Sequence, residues 1–290
     1  MANLSLKGVG VAVITPFNED LTVDYPALKN LLEYFIDSKI DYVVTLGTTG
    51  ESATLTADEK IKIINFTYDT INGRIPVVVG VGGNNTYKVI EDLKQLPLDK
   101  AAAILSVSPY YNKPTQEGIY QHYAAIAKST DKPIILYNVP GRTNSNILPE
   151  TTYRLAADFK NIIAIKEASG NMVQCMHLVK NKPEGFYLIS GDDHINLPLI
   201  ACGFDGVISV VANSHAAEFS ELTHLALNNE FQKARAIQDK LLVPMDLLFA
   251  ENNPAGVKGF LAAQGKIKNI LRLPLVPASE KLYQAIQETL

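Results

Sequence analysis

The residues in this chain that could do chemistry follow short oily runs. Lys166 ends the run Ile162-Ile163-Ala164-Ile165 and precedes Glu167-Ala168-Ser169-Gly170. Three of those four apolar residues are β-branched, so the run reads as a short buried strand, and Ser-Gly marks the loop after it. A lysine in that place has two readings. Its stem can lie along apolar surface and carry the charge to water. Alternatively, an amine set in a dry pocket gives up its proton and attacks a carbonyl. Lys166 alone does not decide between them.

Other runs end in comparable groups. Gly47-Thr48-Thr49-Gly50-Glu51 follows one of them. It lacks the lysine and the length of a P-loop, but its amides and two hydroxyls could cradle a carboxylate; a tight turn with locally bonded threonines is the plainer reading. Pro109-Tyr110-Tyr111-Asn112-Lys113-Pro114 follows a second run, and Tyr137-Asn138-Val139-Pro140-Gly141-Arg142 ends a third. Arg142 could fork onto another carboxylate or be a surface charge. Asp192-Asp193-His194 is better explained as a helix cap than as a metal site. His122, His177, His215 and His224 show no paired ligand spacing, so no metal is expected and a metal-dependent aldolase is disfavoured. Cys175 and Cys202 stand far apart and suggest neither a disulfide nor a metal framework.

These groups need elements to position them. Apolar runs at 9–14, 42–46, 76–81, 102–107, 133–137, 162–166, 186–190 and 206–210 alternate with helical periods. Helices are expected over 24–38 with Asp24 as N-cap, from Thr56 with a capping box to Glu59, and over 86–95 and 115–129. Further helices are expected from Pro149, over 171–181 and 193–202, and after an Asn213 cap. Eight strand–helix units whose strands are apolar on both faces predict an α/β fold, the closed parallel (β/α)8 TIM barrel. An open doubly wound sheet usually has a glycine-rich turn after its first strand, where this chain has Thr15-Pro16-Phe17-Asn18. Residues 1–224 are read as the barrel. Residues 225–290, helical over about 229–249, 253–264 and 279–289, are read as a C-terminal helical extension.

In such a barrel the chemistry gathers where the strands end. That brings Thr48, Tyr111, Tyr137, Arg142, Lys166 and Gly191 to one rim and favours the reactive amine. Strict alternation turns Lys166, Ala164 and Ile162 inward, with Ile163 and Ile165 facing the helices. By the same period Glu167 faces outward, a poor base for Lys166, while Tyr137 and Ile135 face in on the neighbouring strand.

The bulk properties exclude other classes. A net charge of -4 without a basic cluster leaves no footprint for nucleic acid or an anionic membrane. No apolar stretch nears the roughly 18 residues a membrane span needs. The first ten residues lack the pattern of a signal peptide, so a cytoplasmic location is expected.

Four segments, in order, resemble the dihydrodipicolinate synthase family of pyruvate-dependent class I aldolases: Gly47-Thr48-Thr49-Gly50-Glu51-Ser52-Ala53-Thr54, Tyr110-Tyr111-Asn112-Lys113-Pro114, Leu136-Tyr137-Asn138-Val139-Pro140-Gly141-Arg142-Thr143, and Ile165-Lys166-Glu167-Ala168. The resemblance spans essentially the whole chain. It implies that Lys166 forms a Schiff base with pyruvate in diaminopimelate and lysine biosynthesis. Thr48, Tyr137 and Tyr111 would relay protons, with Tyr111 reaching in from a neighbouring subunit. Thr49 and the turn amides would hold the pyruvate carboxylate, Arg142 the carboxylate of L-aspartate 4-semialdehyde, and Gly191 and Ile208 would line the pocket near the lysine. It further implies a homotetramer needing no metal or organic cofactor. Sister enzymes such as N-acetylneuraminate lyase share the lysine, the tyrosine and the turn, and Arg142 separates them. A silent barrel that senses a keto acid is the non-enzymatic alternative.

The family's allosteric L-lysine site is matched at Ser52, Ala53, Asn84 and Tyr110. Where feedback-sensitive members carry histidines and a glutamate, this chain has Ala57, Lys60 and Lys88. Two ammonium groups would repel the ligand's amines, so weak or absent inhibition by L-lysine is expected.

Overall fold

Each apolar run becomes a strand and each helical period a helix. The computed structural model describes residues 4–290. Strand β1 (Gly8–Ala12) leads into α1 (Tyr25–Asp37), β2 (Tyr42–Thr45) into α2 (Ala57–Ile71), β3 (Val77–Gly80) into α3 (Thr86–Gln95) and β4 (Ala103–Val107) into α4 (Gln116–Lys128). After β5 (Ile134–Asn138) comes a one-turn helix α5 (Pro140–Thr143) and then α6 (Pro149–Asp158). Next, β6 (Ile162–Glu167) precedes α7 (Met172–Lys180), β7 (Tyr187–Ser190) precedes α8 (Asn196–Cys202), and β8 (Gly206–Ser209) precedes α9 (Ala216–Leu227). The extension consists of α10 (Phe231–Phe249), α11 (Ala255–Ala263) and α12 (Glu280–Gln287). Helix starts follow the chain's own signals: Asp24 caps α1 through the Ala27 amide, and Thr56 and Glu59 form a reciprocal capping box.

All neighbouring strands pair parallel, in sequence order, and β8 closes on β1. The closed sheet separates two apolar shells. Inside the barrel pack Ala12, Val44, Val78, Leu105, Ile135, Ala164, Ile189 and Ile208. Between strands and helices pack Val43, Val79, Ile104, Leu136, Ile165 and Leu188 with Leu31, Ile64, Ile126, Leu155 and Leu178. Met245, Leu248, Val257, Phe260 and Leu261 of the extension join that outer shell. At roughly 1.5–3 kcal/mol for each buried side chain of this size, they dock the extension firmly. Gly10 faces Tyr42 across β1 and β2, where a Cβ would stand 2.2 Å from the tyrosine ring. Only glycine admits that ring. Among the described residues no helix is long and apolar enough to cross a membrane.

Three expectations need correction. The β5–β6 register shifts: Ile134 pairs Ile162 while Ile135 pairs Ala164, leaving Ile163 as an extra residue. A bulge of this kind flips the preceding side chain, so Ile162 packs in the outer shell and Ile163 leans on the inner one. Asn213 does not cap α9, which starts at Ala216 with no side-chain cap. Its Oδ1 accepts from the Ile14 amide at 3.2 Å and its Nδ2 donates to the Ala12 carbonyl at 2.8 Å, stitching the end of β1 to the β8 loop. Asp193 does not cap α8 either. Its carboxylate accepts from the Val210 and Val211 amides at 2.9 and 3.1 Å, because the loops after β7 and β8 are neighbours with buried donors to satisfy.

Candidate active site

From Ala164 onward alternation resumes, and Lys166 and Tyr137 pair in register across β6 and β5. Both face inward at the strand ends, 5% and 7% exposed, with the lysine Nζ 4.3 Å from the centre of the tyrosine ring. The lysine–carboxylate pairs among the described residues do not include Lys166. Its sequence neighbour Glu167 is turned outward. That carboxylate accepts from Asn138 Nδ2 at 2.9 Å, the Ser169 amide at 2.7 Å and Gln174 Nε2 at 2.9 Å. So supplied with donors, Glu167 holds the β6 loop to α7 and leaves the amine alone. Gly191 completes the lysine's surroundings: a Cβ there would stand 2.9 Å from Lys166 Cε, so the stem occupies the space a side chain would take.

The Thr48-Thr49-Gly50 segment forms a single 3₁₀ turn, closed by bonds from the Gly50 and Glu51 amides to the Gly47 and Thr48 carbonyls, each 3.1 Å. Thr49 is buried, and its hydroxyl accepts from Asn253 Nδ2 at 2.9 Å. Arg142, in α5, donates to the Asn253 carbonyl at 3.3 Å, so its guanidinium is anchored over the rim.

A cleft of about 280 Å³ opens between these groups. Thr48, Thr49, Tyr137, Lys166 and Gly191 line it together with Arg142, Asp192, His194 and Asn253. Ile208 does not line it; the side chain lies fully buried in the barrel interior. Tyr111 does not reach it either. It stands 88% exposed on the loop after β4, next to Tyr110, and is not among the residues that line the cleft. Among the described residues no group of His, Cys, Asp and Glu side chains converges as a metal site.

Of the candidate effector residues, Ser52 and Lys88 line a second cleft of about 340 Å³ together with Ala57 and Lys60, and it meets the first at Thr48 and Tyr137. Ala53, Asn84 and Tyr110 lie outside its lining, Asn84 Nδ2 donating to the Tyr110 carbonyl at 3.0 Å. Lys88 is ion-paired with Glu91 and Asp92 on its own helix, so part of the expected cationic excess is compensated locally.

Sequence reasoning missed Asn253 and took His194 only as part of a helix cap. Asn253 lies some 200 residues from the turn it holds, and nothing in Asn252-Asn253-Pro254 beyond a helix stop announces it. His194 sits on the lip, its Nε2 3.1 Å from Asp246 of α10, and Asp192 and Asp246 raise its pKa above the ordinary imidazole value.

Known proteins are similar to this chain over nearly its whole length. The family model described as the dihydrodipicolinate synthetase family matches residues 5–290. A 4-hydroxy-tetrahydrodipicolinate synthase of Parabacteroides distasonis is 53% identical over 290 residues, covering 100% of this chain and 98% of that one. The crystal structure of the Thermotoga maritima dihydrodipicolinate synthase superposes with a TM-score of 0.95 at 43% identity, covering 98% of this chain and 97% of that one. The chloride-inhibited Acinetobacter baumannii enzyme, solved in complex with pyruvate, does so with a TM-score of 0.95 at 38% identity, over 98% of both chains. With the barrel closed, its lysine and tyrosine paired at the rim and the match running through the C-terminal helices, this chain belongs to the dihydrodipicolinate synthetase family.

Proposed function

We propose that this chain acts as a 4-hydroxy-tetrahydrodipicolinate synthase, condensing pyruvate with L-aspartate 4-semialdehyde on the route to diaminopimelate and lysine. The observation that carries the reading is the buried Lys166 amine beside Tyr137, facing a cleft and bound to no carboxylate. An amine without an acid partner can lose its proton and attack a keto carbon. Lys166 Nζ adds to the pyruvate carbonyl and water leaves, giving an imine. Loss of a methyl proton then makes an enamine, which attacks the aldehyde. The second substrate's own amine closes the ring and displaces Lys166.

The remaining residues fit defined parts of that sequence. Gly50 and Glu51 amides are engaged within the turn, which leaves Thr48 and Thr49 to meet the pyruvate carboxylate. Tyr137 and Thr48, which line the same cleft as Lys166, would move protons during imine formation and release. The exposure of Tyr111 suits a third relay member that serves a neighbouring copy, in a homotetramer. Arg142 would fork onto the carboxylate of the semialdehyde, with Gly191 giving room at the lysine and Ile208 flooring the barrel below. A cytoplasmic location follows from this biosynthetic role.

Borohydride reduction in the presence of pyruvate, followed by peptide mass mapping, tests the reading. One adduct on Lys166 is expected, and its absence would sink both this activity and the sister lyases. Turnover of aspartate semialdehyde but not N-acetylneuraminate separates the two, and Arg142→Ala should lose activity chiefly with the former.

A further inference from the structure

Helix α11 is apolar except at Lys258, whose side chain is fully buried. Its ammonium pairs with the equally buried carboxylate of Glu51, donates to the Ile270 carbonyl at 2.9 Å and stands 4.2 Å from the Phe17 ring. The other oxygen of Glu51 accepts from the Arg272 amide at 3.1 Å. Burial pushes the Lys258 ammonium down to about 8 even with its partner in place. A pair of apolar side chains of similar volume would dock α11 at least as well, since desolvation offsets much of a buried ion pair's attraction. What the pair adds is direction.

The direction bears on the turn. Glu51 follows Thr48-Thr49-Gly50 at once and its amide closes that turn, yet its backbone is left-handed, at φ 53° and ψ 34°. A residue with a Cβ adopts that conformation at a cost that its surroundings have to offset. Thr15 after β1 donates to the Gly50 carbonyl at 2.7 Å, and the groups that hold the Glu51 and Thr49 side chains come from the extension: Lys258 and the Arg272 amide on the carboxylate, and Asn253 on Thr49. Arg272 reaches further, to the Thr54 carbonyl and to Glu59 of α2. The turn is thus clamped from behind while its front faces the cleft.

We infer that Lys258, acting through Glu51, is a positioning residue that holds the Thr48-Thr49 turn in the geometry that receives the carboxylate of the keto acid. The assignment rests on the function proposed above for the cleft. Its test uses the full chain, with Lys258→Met, Glu51→Gln and the apolar double variant Lys258→Met/Glu51→Leu. Borohydride-trapped adduct is titrated against pyruvate, and amide exchange is followed over residues 47–52. Lys258→Met should raise half-saturating pyruvate roughly ten- to a hundredfold, as misplacement of about an ångström does. Adduct at saturation and half-saturation by the aldehyde should stay unchanged, and the Gly50 and Glu51 amides should exchange faster. Glu51→Gln, which keeps an acceptor for the Arg272 amide and a side chain of the same size, should shift both readouts in the same direction. The double variant should recover the melting temperature but not the pyruvate half-saturation. Recovery of both, or unchanged exchange at Gly50 and Glu51, would overturn the assignment. Faster exchange with no adduct even in the parent protein would uphold the clamp and reject the pyruvate reading alone.

Discussion

Two buried lysines stand over aromatic rings at nearly the same distance, Lys166 4.3 Å from Tyr137 and Lys258 4.2 Å from Phe17. They differ in what else is present. Lys258 is sealed between the extension and the barrel with Glu51 against it, and Lys166 faces an open cleft while its nearest acid in sequence bonds elsewhere. A carboxylate holds a proton on an amine and uses up its directionality, which makes a structural ion. Without one, the amine is free to react with what the cleft admits. Burial by itself does not make a lysine catalytic; the absence of a partner and the presence of an opening do.

That contrast can be attacked from both sides. Lys166→Met should abolish the pyruvate adduct and lower turnover by on the order of 10⁴-fold, with melting temperature little changed, because no pair is broken. Giving Lys166 an acid should act in the same direction: Ala168→Asp, from the cleft lining, should cut adduct formation at neutral pH and move its onset to higher pH. Lys258→Met should do the reverse, leaving the adduct chemistry at saturation intact while costing about 3–5 kcal/mol of stability in a denaturant titration, since Glu51 is stranded.

Smaller effects test the outer ties. Arg142→Ala should lower kcat/KM for the semialdehyde roughly ten- to a hundredfold without changing pyruvate trapping. Arg272 holds Glu59 at a pKa of about 2, below its ordinary 4.5, chiefly through their side-chain hydrogen bond. The stabilisation is complete above about pH 4.5 and is lost as pH falls toward about 2, so acid unfolding should have a shallower slope there in Arg272→Met. Smallest of all, L-lysine should inhibit weakly or not at all in a steady-state assay, with Lys60 and Lys88 lining the second cleft; half-inhibition below millimolar would refute this.

Much of this was legible from local signals, because the fold repeats one local rule. Short apolar runs between helical periods specified all eight strands, and caps such as Asp24 and the Thr56–Glu59 box marked helix starts within a residue. Inward alternation placed Lys166 beside Tyr137 and turned Glu167 away. The errors arose where distant loops meet. The β6 bulge depends on register with β5, and Asn213 and Asp193 resemble local caps although their partners are backbone groups of neighbouring loops.

By itself, then, the sequence determined the barrel, its helical extension and the rim on which Lys166, Tyr137, Thr48 and Arg142 gather, since hydrophobic period and strand order are local properties of the chain. Only the tertiary structure decided which buried lysine has an acid. Glu51 and Lys258 lie about 200 residues apart in sequence. Their meeting, like that of Asn253 with Thr49, is set by how the last helices pack on the barrel, and no periodicity within either segment encodes it.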